Sequence, residues 1–244
     1  MFHSYFKTLY QRTMEESYNL AFKEITNTLM NGGSCLDCGA NDGISFNIIN
    51  KSIHLDKSLY HGIEWNEATV YQAQLKGLNV IQGDLNGKMP FEDGQFQCVF
   101  GLSLLEHLLN GCAFIKECQR VLSKGGKLIL LTPNISTFFT IALLLMGKMP
   151  SSGPHPDSNI LLAKDEIYKV SNENITRDIE SETPVHRHLV VFSYRVLRQY
   201  LFMIGFSEIR GYGFGLYPFP RFMQSVLERI DPYHCHQMVF VAKK

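Results

Sequence analysis

No run of basic residues occurs anywhere in the 244-residue chain, and Lys+Arg and Asp+Glu balance at 23 each. Nucleic-acid binders usually carry excess cations to neutralise phosphates, so no nucleic-acid partner is expected. No apolar stretch approaches the ~20 residues that span a bilayer. The most apolar segment, Phe138–Met146 (F-F-T-I-A-L-L-L-M), is much shorter, and no transmembrane segment is expected. The opening residues M-F-H-S-Y-F-K-T-L-Y-Q-R lack the continuous apolar core of a signal peptide. Six cysteines at 35, 38, 98, 112, 118 and 235 are too sparse for a small disulfide scaffold. There is neither an internal repeat nor a low-complexity linker. The expectation is one domain in a reduced, cytoplasmic compartment.

What is present is an alternation of strand-like and helix-like segments. Met14, Tyr18, Ala21, Ile25 and Leu29 recur at helical spacing and end at Asn31-Gly32-Gly33. This helix is expected against the sheet edge or the active-site mouth. Strands follow at 34–38, 59–64, 78–81, 96–101 and 127–132, with helices at 44–50, 66–76 and 111–122 and a turn at 123–126. Such alternation implies βαβ units and a mainly parallel sheet covered on both faces. The rhythm breaks after Pro133 and resumes with a helix at 193–204 and strands at 206–212 and 236–242. The expected organisation is therefore an N-terminal helical segment (1–32), a binding core (33–133), an insertion over the open end of the sheet (134–192) and a return to the sheet (193–244).

Residues 34–43, S-C-L-D-C-G-A-N-D-G, offer two chemistries. Cys35 and Cys38 suggest a redox or metal pair. Three positions apart on a strand, however, they point to opposite faces, and no second C-x-x-C follows to complete a zinc site. Core packing is expected for both. Gly39 and Gly43 sit in the turn between a strand and a helix, where a ligand approaches the backbone closely. The dinucleotide fingerprint G-x-G-x-x-G is not met, because Asn41 stands at its second glycine. Asp37, two residues before the first glycine, suits a cationic ligand better than a pyrophosphate.

Leu36-Asp37-Cys38-Gly39-Ala40-Asn41-Asp42-Gly43 resembles motif I of the class I S-adenosylmethionine-dependent methyltransferases. Four further features fall in the family's order. They are Glu64 ending the second strand, Gly83-Asp84-Leu85 after the third, the lead Pro90-Phe91-Glu92-Asp93-Gly94-Gln95-Phe96-Gln97-Cys98-Val99 into the fourth, and Ser103-Leu104-Leu105-Glu106-His107-Leu108 followed by Arg120–Leu128. Gln97 stands where an Asp is usual. Thr132-Pro133-Asn134 and His186-x-His188-x-x-x-Phe192-Ser193 are similar to a bacterial subgroup that includes ubiquinone- and methionine-biosynthesis methyltransferases. The resemblance implies a Rossmann-like α/β fold, doubly wound, with a seven-stranded sheet whose last strand is antiparallel. It implies S-adenosyl-L-methionine as cofactor and S-adenosyl-L-homocysteine as product.

The resemblance also assigns residues. Asp37, Gly39, Ala40, Asn41 and Gly43 would line the methionine end, the carboxylate attracting the ammonium or sulfonium; the plain alternative is that Asp37 caps the following helix. Glu64 would accept from the ribose diol, against the alternative of a solvated strand end. Trp65 would flank the adenine or ribose, with core packing as its alternative. Asp84 would accept from the adenine amino group and Leu85 offer a backbone N–H, unless Asp84 is only a turn residue. Leu102 and Ser103 would lie under the sulfonium.

Methyl transfer asks the protein mainly for alignment and a dry site. A base is needed only when the acceptor loses a proton, and the candidates are His107, His186 and His188. His186 and His188 share a face if extended, but no third metal ligand is spaced with them, so no metal is expected. Gly101-Leu102-Ser103-Leu104 lacks the Asn/Asp-Pro-Pro-Tyr/Phe signature of nucleobase or glutamine amino-group methylation. The expected acceptor is a small molecule, most simply at oxygen, with apolar, glycan-linked and lipid-linked compounds among the candidates. The apolar helix at 138–146 is expected to be buried between insertion and sheet; the functional reading is a lid or a wall for such an acceptor. Phe214, Tyr217, Phe219 and Phe222 would add aromatic walls or a dimer surface, in a monomer or homodimer. Two other readings stand beside the enzyme: a non-catalytic or regulatory S-adenosylmethionine-binding relative, and an NAD-dependent oxidoreductase.

Overall fold

The computed structural model describes residues 2–150, 152–156, 158, 161, 167–168 and 187–244. Seven strands make one sheet: β1 (Cys35–Cys38), β2 (Tyr60–Glu64), β3 (Asn79–Gln82), β4 (Phe96–Leu102), β5 (Leu122–Pro133), β6 (Ser207–Phe214) and β7 (Gln237–Lys243). The helices are α1 (Phe2–Leu29), α2 (Ile44–Ile53), α3 (Glu67–Leu75), α4 (Gly111–Val121), α5 (Phe138–Leu145), α6 (Tyr194–Met203) and α7 (Arg221–Ile230). The strand order is β3-β2-β1-β4-β5-β7-β6. Pairs within β1–β5 are parallel, and β7 runs antiparallel to both its neighbours. The last strand in sequence is thus the antiparallel one, as expected.

The two apolar faces follow from period-two alternation along buried strands. On β4, Cys98 and Phe100 join one core cluster and Val99 the other, with Phe96 on Val99's side because the register shifts before Cys98. The first cluster takes Ala21, Ile25 and Leu29 of α1, Phe46 and Ile49 of α2, and Val70 and Ala73 of α3. The second takes Phe114, Ile115 and Cys118 of α4, and Leu197 and Leu201 of α6. Cys35 lies in the first and Cys38 in the second, so the pair straddles the sheet as packing residues. All six cysteines are unbridged, and burial pushes the thiols of Cys35, Cys38 and Cys98 up, which keeps them unreactive.

Strand order reverses between β1 and β4. From there one crossover series runs to β2 and β3 and the other to β5, which opens a crevice at the carboxyl ends of β1 and β4. Any ligand of this fold is expected there.

Three elements differ from their sequence-based expectation. Helix α1 begins at Phe2 rather than near Met14. Its buried face carries Thr13 and Ser17, which reads as polar; their hydroxyls donate to the helix carbonyls of Leu9 and Met14 at 2.8 and 2.9 Å. The C-terminal half of α1 lies on a face of the sheet, not at its edge. The expected turn at 123–126 runs inside β5 as an irregularity, with the register shifting between Phe96 and Cys98 of β4. Its Gly125 has φ +79° and donates to the Lys244 carbonyl. Helix α5 is not buried. Thr140 and Leu143 face inward, but Ile141, Leu144 and Leu145 are exposed, Leu145 at 84%. Among the described residues, no helix is long and apolar enough to cross a membrane.

Candidate active site

The turn after β1 is held from beneath by β2. Gly39 and Ala40 donate backbone N–H groups to the Ile63 carbonyl at 2.9 and 3.1 Å. Gly43 has φ +82° and begins α2 without a side-chain cap, and a Cβ there would collide with Leu78. Both the backbone and the space require glycine. Gly43→Ala is expected to destabilise the protein by roughly 2–4 kcal/mol, read as a lower urea midpoint at unchanged slope.

Glu64, the last residue of β2, joins this turn to the next loop. Its Oε2 accepts from the Asn41 N–H and its Oε1 from the Asn66 N–H, both at 2.9 Å. Asn41 reaches this position in the left-handed region, φ 49°. Each carboxylate oxygen keeps further acceptor capacity. The Glu64 carbonyl receives the Gly83 N–H at 3.0 Å, tying in the loop after β3 as well.

Asp37 is 2% exposed. The Tyr60 hydroxyl donates to its Oδ2 at 2.6 Å. Burial pushes its pKa up to about 6; hydrogen bonds from Tyr60 and Ser45 pull back, and the Glu64 charge pushes further up. At neutral pH it is still mostly ionised, a fixed negative charge under the glycine turn. Gly43, not Asp37, is the residue that caps α2.

The other cofactor-side candidates divide. Trp65 is 71% exposed just after β2, so core packing does not account for it. Asp84 accepts through Oδ1 from the backbone N–H and side-chain amide of Asn86 at 2.8 and 2.9 Å, a turn geometry, while Leu85 is buried. Leu102 ends β4 half-buried. Ser103 follows with φ 52°, and the Tyr18 hydroxyl donates to its Oγ at 3.0 Å. The middle of α1 therefore reaches the residue just past the carboxyl end of β4. Its Tyr10 ring packs edge-on to His236.

Beyond Ser103 lies a cluster that no sequence spacing reveals. Glu106 is 2% exposed, and the Thr132 hydroxyl of β5 donates to its Oε2 at 2.9 Å. Burial pushes its carboxyl up to about 7, its own backbone N–H and Thr132 opposing. The His107 ring N–H donates through Nδ1 to the Arg187 carbonyl at 2.9 Å, and the His188 Nδ1 to the Ser152 carbonyl at 3.0 Å. The two rings meet edge-to-face at 5.1 Å between centroids. Burial, with His107, lowers His188 to about 4, so it is neutral at physiological pH. His155 flanks His188 at 6.2 Å between centroids. His186 lies outside the described residues. The sequence reading missed Glu106, Tyr18 and Tyr60. The first stands next to a chosen histidine, but its burial depends on β5 and on the segment carrying His188, both distant in sequence.

The reversed sheet order, the glycine turn after β1 and the acid ending β2 define the Rossmann-like fold class of S-adenosylmethionine-dependent methyltransferases. Residues 36–130 match the family described as "Methyltransferase domain". Over 79 residues the chain is 34% identical to a "Probable S-adenosylmethionine-dependent methyltransferase" of Mycolicibacterium smegmatis, covering 32% of this chain and 30% of that protein. A relative of the same description in Mycobacterium tuberculosis is 31% identical over 78 residues, 31% of this chain and 28% of that protein. The chain thus spans less than a third of the length of these curated relatives. Among solved structures, a Thermotoga maritima "SAM-dependent methyltransferase, possible histamine N-methyltransferase" superposes with a TM-score of 0.56 at 16% identity over 100% of each chain. A Haemonchus contortus phosphoethanolamine N-methyltransferase 2, in complex with S-adenosyl-L-methionine, gives 0.55 at 14% identity over 87% of this chain and 49% of that one. At such identities the likeness is one of fold.

Proposed function

We propose that the chain binds S-adenosyl-L-methionine in the crevice at β1 and β4 and transfers its methyl group to the oxygen of a small-molecule acceptor. The observation that carries this reading is the Glu64 carboxylate. It is fixed by backbone N–H groups of the glycine turn and of the loop after β2, which leaves acceptor capacity where a ribose diol would lie. Asp37 supplies negative charge beneath the methionine end, and Trp65 an exposed ring at the adenine side.

The reaction balances simply. The acceptor oxygen attacks the methyl carbon, the C–O bond forms as the C–S bond breaks, and the electron pair returns to sulfur, giving neutral S-adenosylhomocysteine. The hydroxyl proton must leave. Three groups stand at that end of the crevice to receive or relay it: Glu106, His107 and His188. A carboxyl held near neutral pH suits such proton transfer. This cluster favours the catalyst over a regulatory relative that only binds the cofactor. The exposed apolar side of α5 suits an acceptor with an apolar or lipid-linked part. The unbridged cysteines suit a cytoplasmic setting.

Calorimetry with S-adenosylhomocysteine is expected to give one site, and methyl-labelled cofactor to label hydroxyl compounds within an acceptor panel. No heat and no thermal shift with either S-adenosyl ligand would end the reading. Binding without transfer to any hydroxyl, but with transfer to amines, would move the acceptor atom to nitrogen.

A further inference from the structure

We infer that Glu106, His107 and His188 form a binding site for a divalent transition metal, zinc first, at the carboxyl end of β4. One donor atom from each lies within 4.8 Å of the other two. Zinc bonds of about 2.1 Å in a tetrahedral set place ligand atoms about 3.4 Å apart, so closure asks for side-chain movement on the order of 1 Å.

Two independent observations point to a cation. Both imidazoles donate through Nδ1 to a backbone carbonyl, at Arg187 and Ser152. A carbonyl only accepts, so Nδ1 carries the proton, and in that tautomer a ring presents its lone pair on Nε2. Metal-binding histidines are oriented by this kind of outer contact. Second, Glu106 is a buried carboxylate with a hydroxyl partner in Thr132 and, among the described residues, no Lys or Arg paired with it. A buried anion without a counter-charge is costly, and a cation offsets that cost. Two imidazoles with one carboxylate are the donor set of catalytic zinc centres that keep one position for water or substrate, and imidazole disfavours magnesium.

The expectation of a metal-free site rested on the spacing of His186 and His188. The fold supplies a different trio, two members from the loop after β4 and one from the segment after 186. Taken with the methyl-transfer reading, on which this part rests, the metal would hold the acceptor hydroxyl and lower its pKa, so that the proton is released to water.

The test uses the full chain, stripped with a chelator and dialysed, then titrated with zinc chloride against a chromogenic competitor. One equivalent is expected to bind with a Kd of about 1 µM or tighter. His188→Ala and Glu106→Gln are each expected to weaken it about 10- to 100-fold or more, with His188→Gln as a second variant should the alanine not fold. Cys35→Ser/Cys38→Ser is expected to leave it unchanged. Cobalt substitution is expected to give visible bands without thiolate charge transfer. No stoichiometric zinc at micromolar concentration, or zinc lost in the cysteine double variant but kept without His188, would overturn the inference. Binding of S-adenosylhomocysteine, measured on the same stripped sample, separates this outcome from failure of the methyltransferase reading.

Discussion

Glu64→Ala is expected to weaken S-adenosylhomocysteine binding by about 100-fold or more. The substitution acts twice. It removes the charged acceptor proposed for the ribose diol, where each hydrogen bond to a charged group contributes about 1.5–3 kcal/mol. It also releases the Asn41 and Asn66 N–H groups that the carboxylate holds at 2.9 Å, so the glycine turn and the loop after β2 lose their common anchor. At 1.4 kcal/mol per tenfold, two such bonds account for at least two decades. Glu64→Gln keeps the size and one acceptor oxygen and is expected to fall between. Isothermal titration of the three proteins checks this. Equal affinity in wild type and Glu64→Ala would remove Glu64 from the cofactor site.

The second large effect is on stability. Glu106→Gln, measured in chelator, is expected to be more stable than wild type by roughly 3 kcal/mol above neutral pH. Burial raises the folded carboxyl from its ordinary 4.5 to about 7. Below 4.5 the group is neutral in both states and costs nothing. Between 4.5 and 7 the unfolded carboxyl ionises while the folded one does not, so wild-type stability falls as pH rises. Above 7 the cost is complete. Glutamine never ionises and can still accept from Thr132. Tyr10 and Tyr18 from α1, and His107 and His188 beside it, face this site in both proteins and largely cancel in the comparison. Denaturation midpoints at pH 4.5 and 8 decide it: a gap that is the same at both would mean that Glu106 is not buried in its charged form at high pH.

The glycine turn after β1 and the acid ending β2 were legible in the sequence because their determinants are local. Asp37, Gly39 and Gly43 lie within one turn, and Glu64 ends the next strand. Periodicity found the strands and helices through β5, and α1 only from Met14 onward. Ahead of Met14, Thr13 is buried, its hydroxyl donating to the Leu9 carbonyl and meeting the Tyr217 hydroxyl, so an inward position reads as a polar one. The Glu106, His107 and His188 cluster was legible only as isolated histidines. Glu106 acquires its character from Thr132, 26 positions on, and His188 arrives from beyond the segment after Pro133. Neither contact leaves a spacing to read. Helix α5 failed in the opposite way: its composition says interior, but the fold leaves one side uncovered.

The chain returning from residue 187 lies against Glu106 through its backbone. The Leu189 N–H donates to the Glu106 carbonyl at 2.7 Å, and His107 reaches back to the Arg187 carbonyl. The stretch that leads out of the region after Pro133 is therefore stitched to the two residues that carry the acid and the imidazole. On the proposed reading, selectivity for an acceptor and reactivity toward it share one mechanical joint. A loop graft that exchanged this region for that of a relative would reset the chemistry along with the specificity.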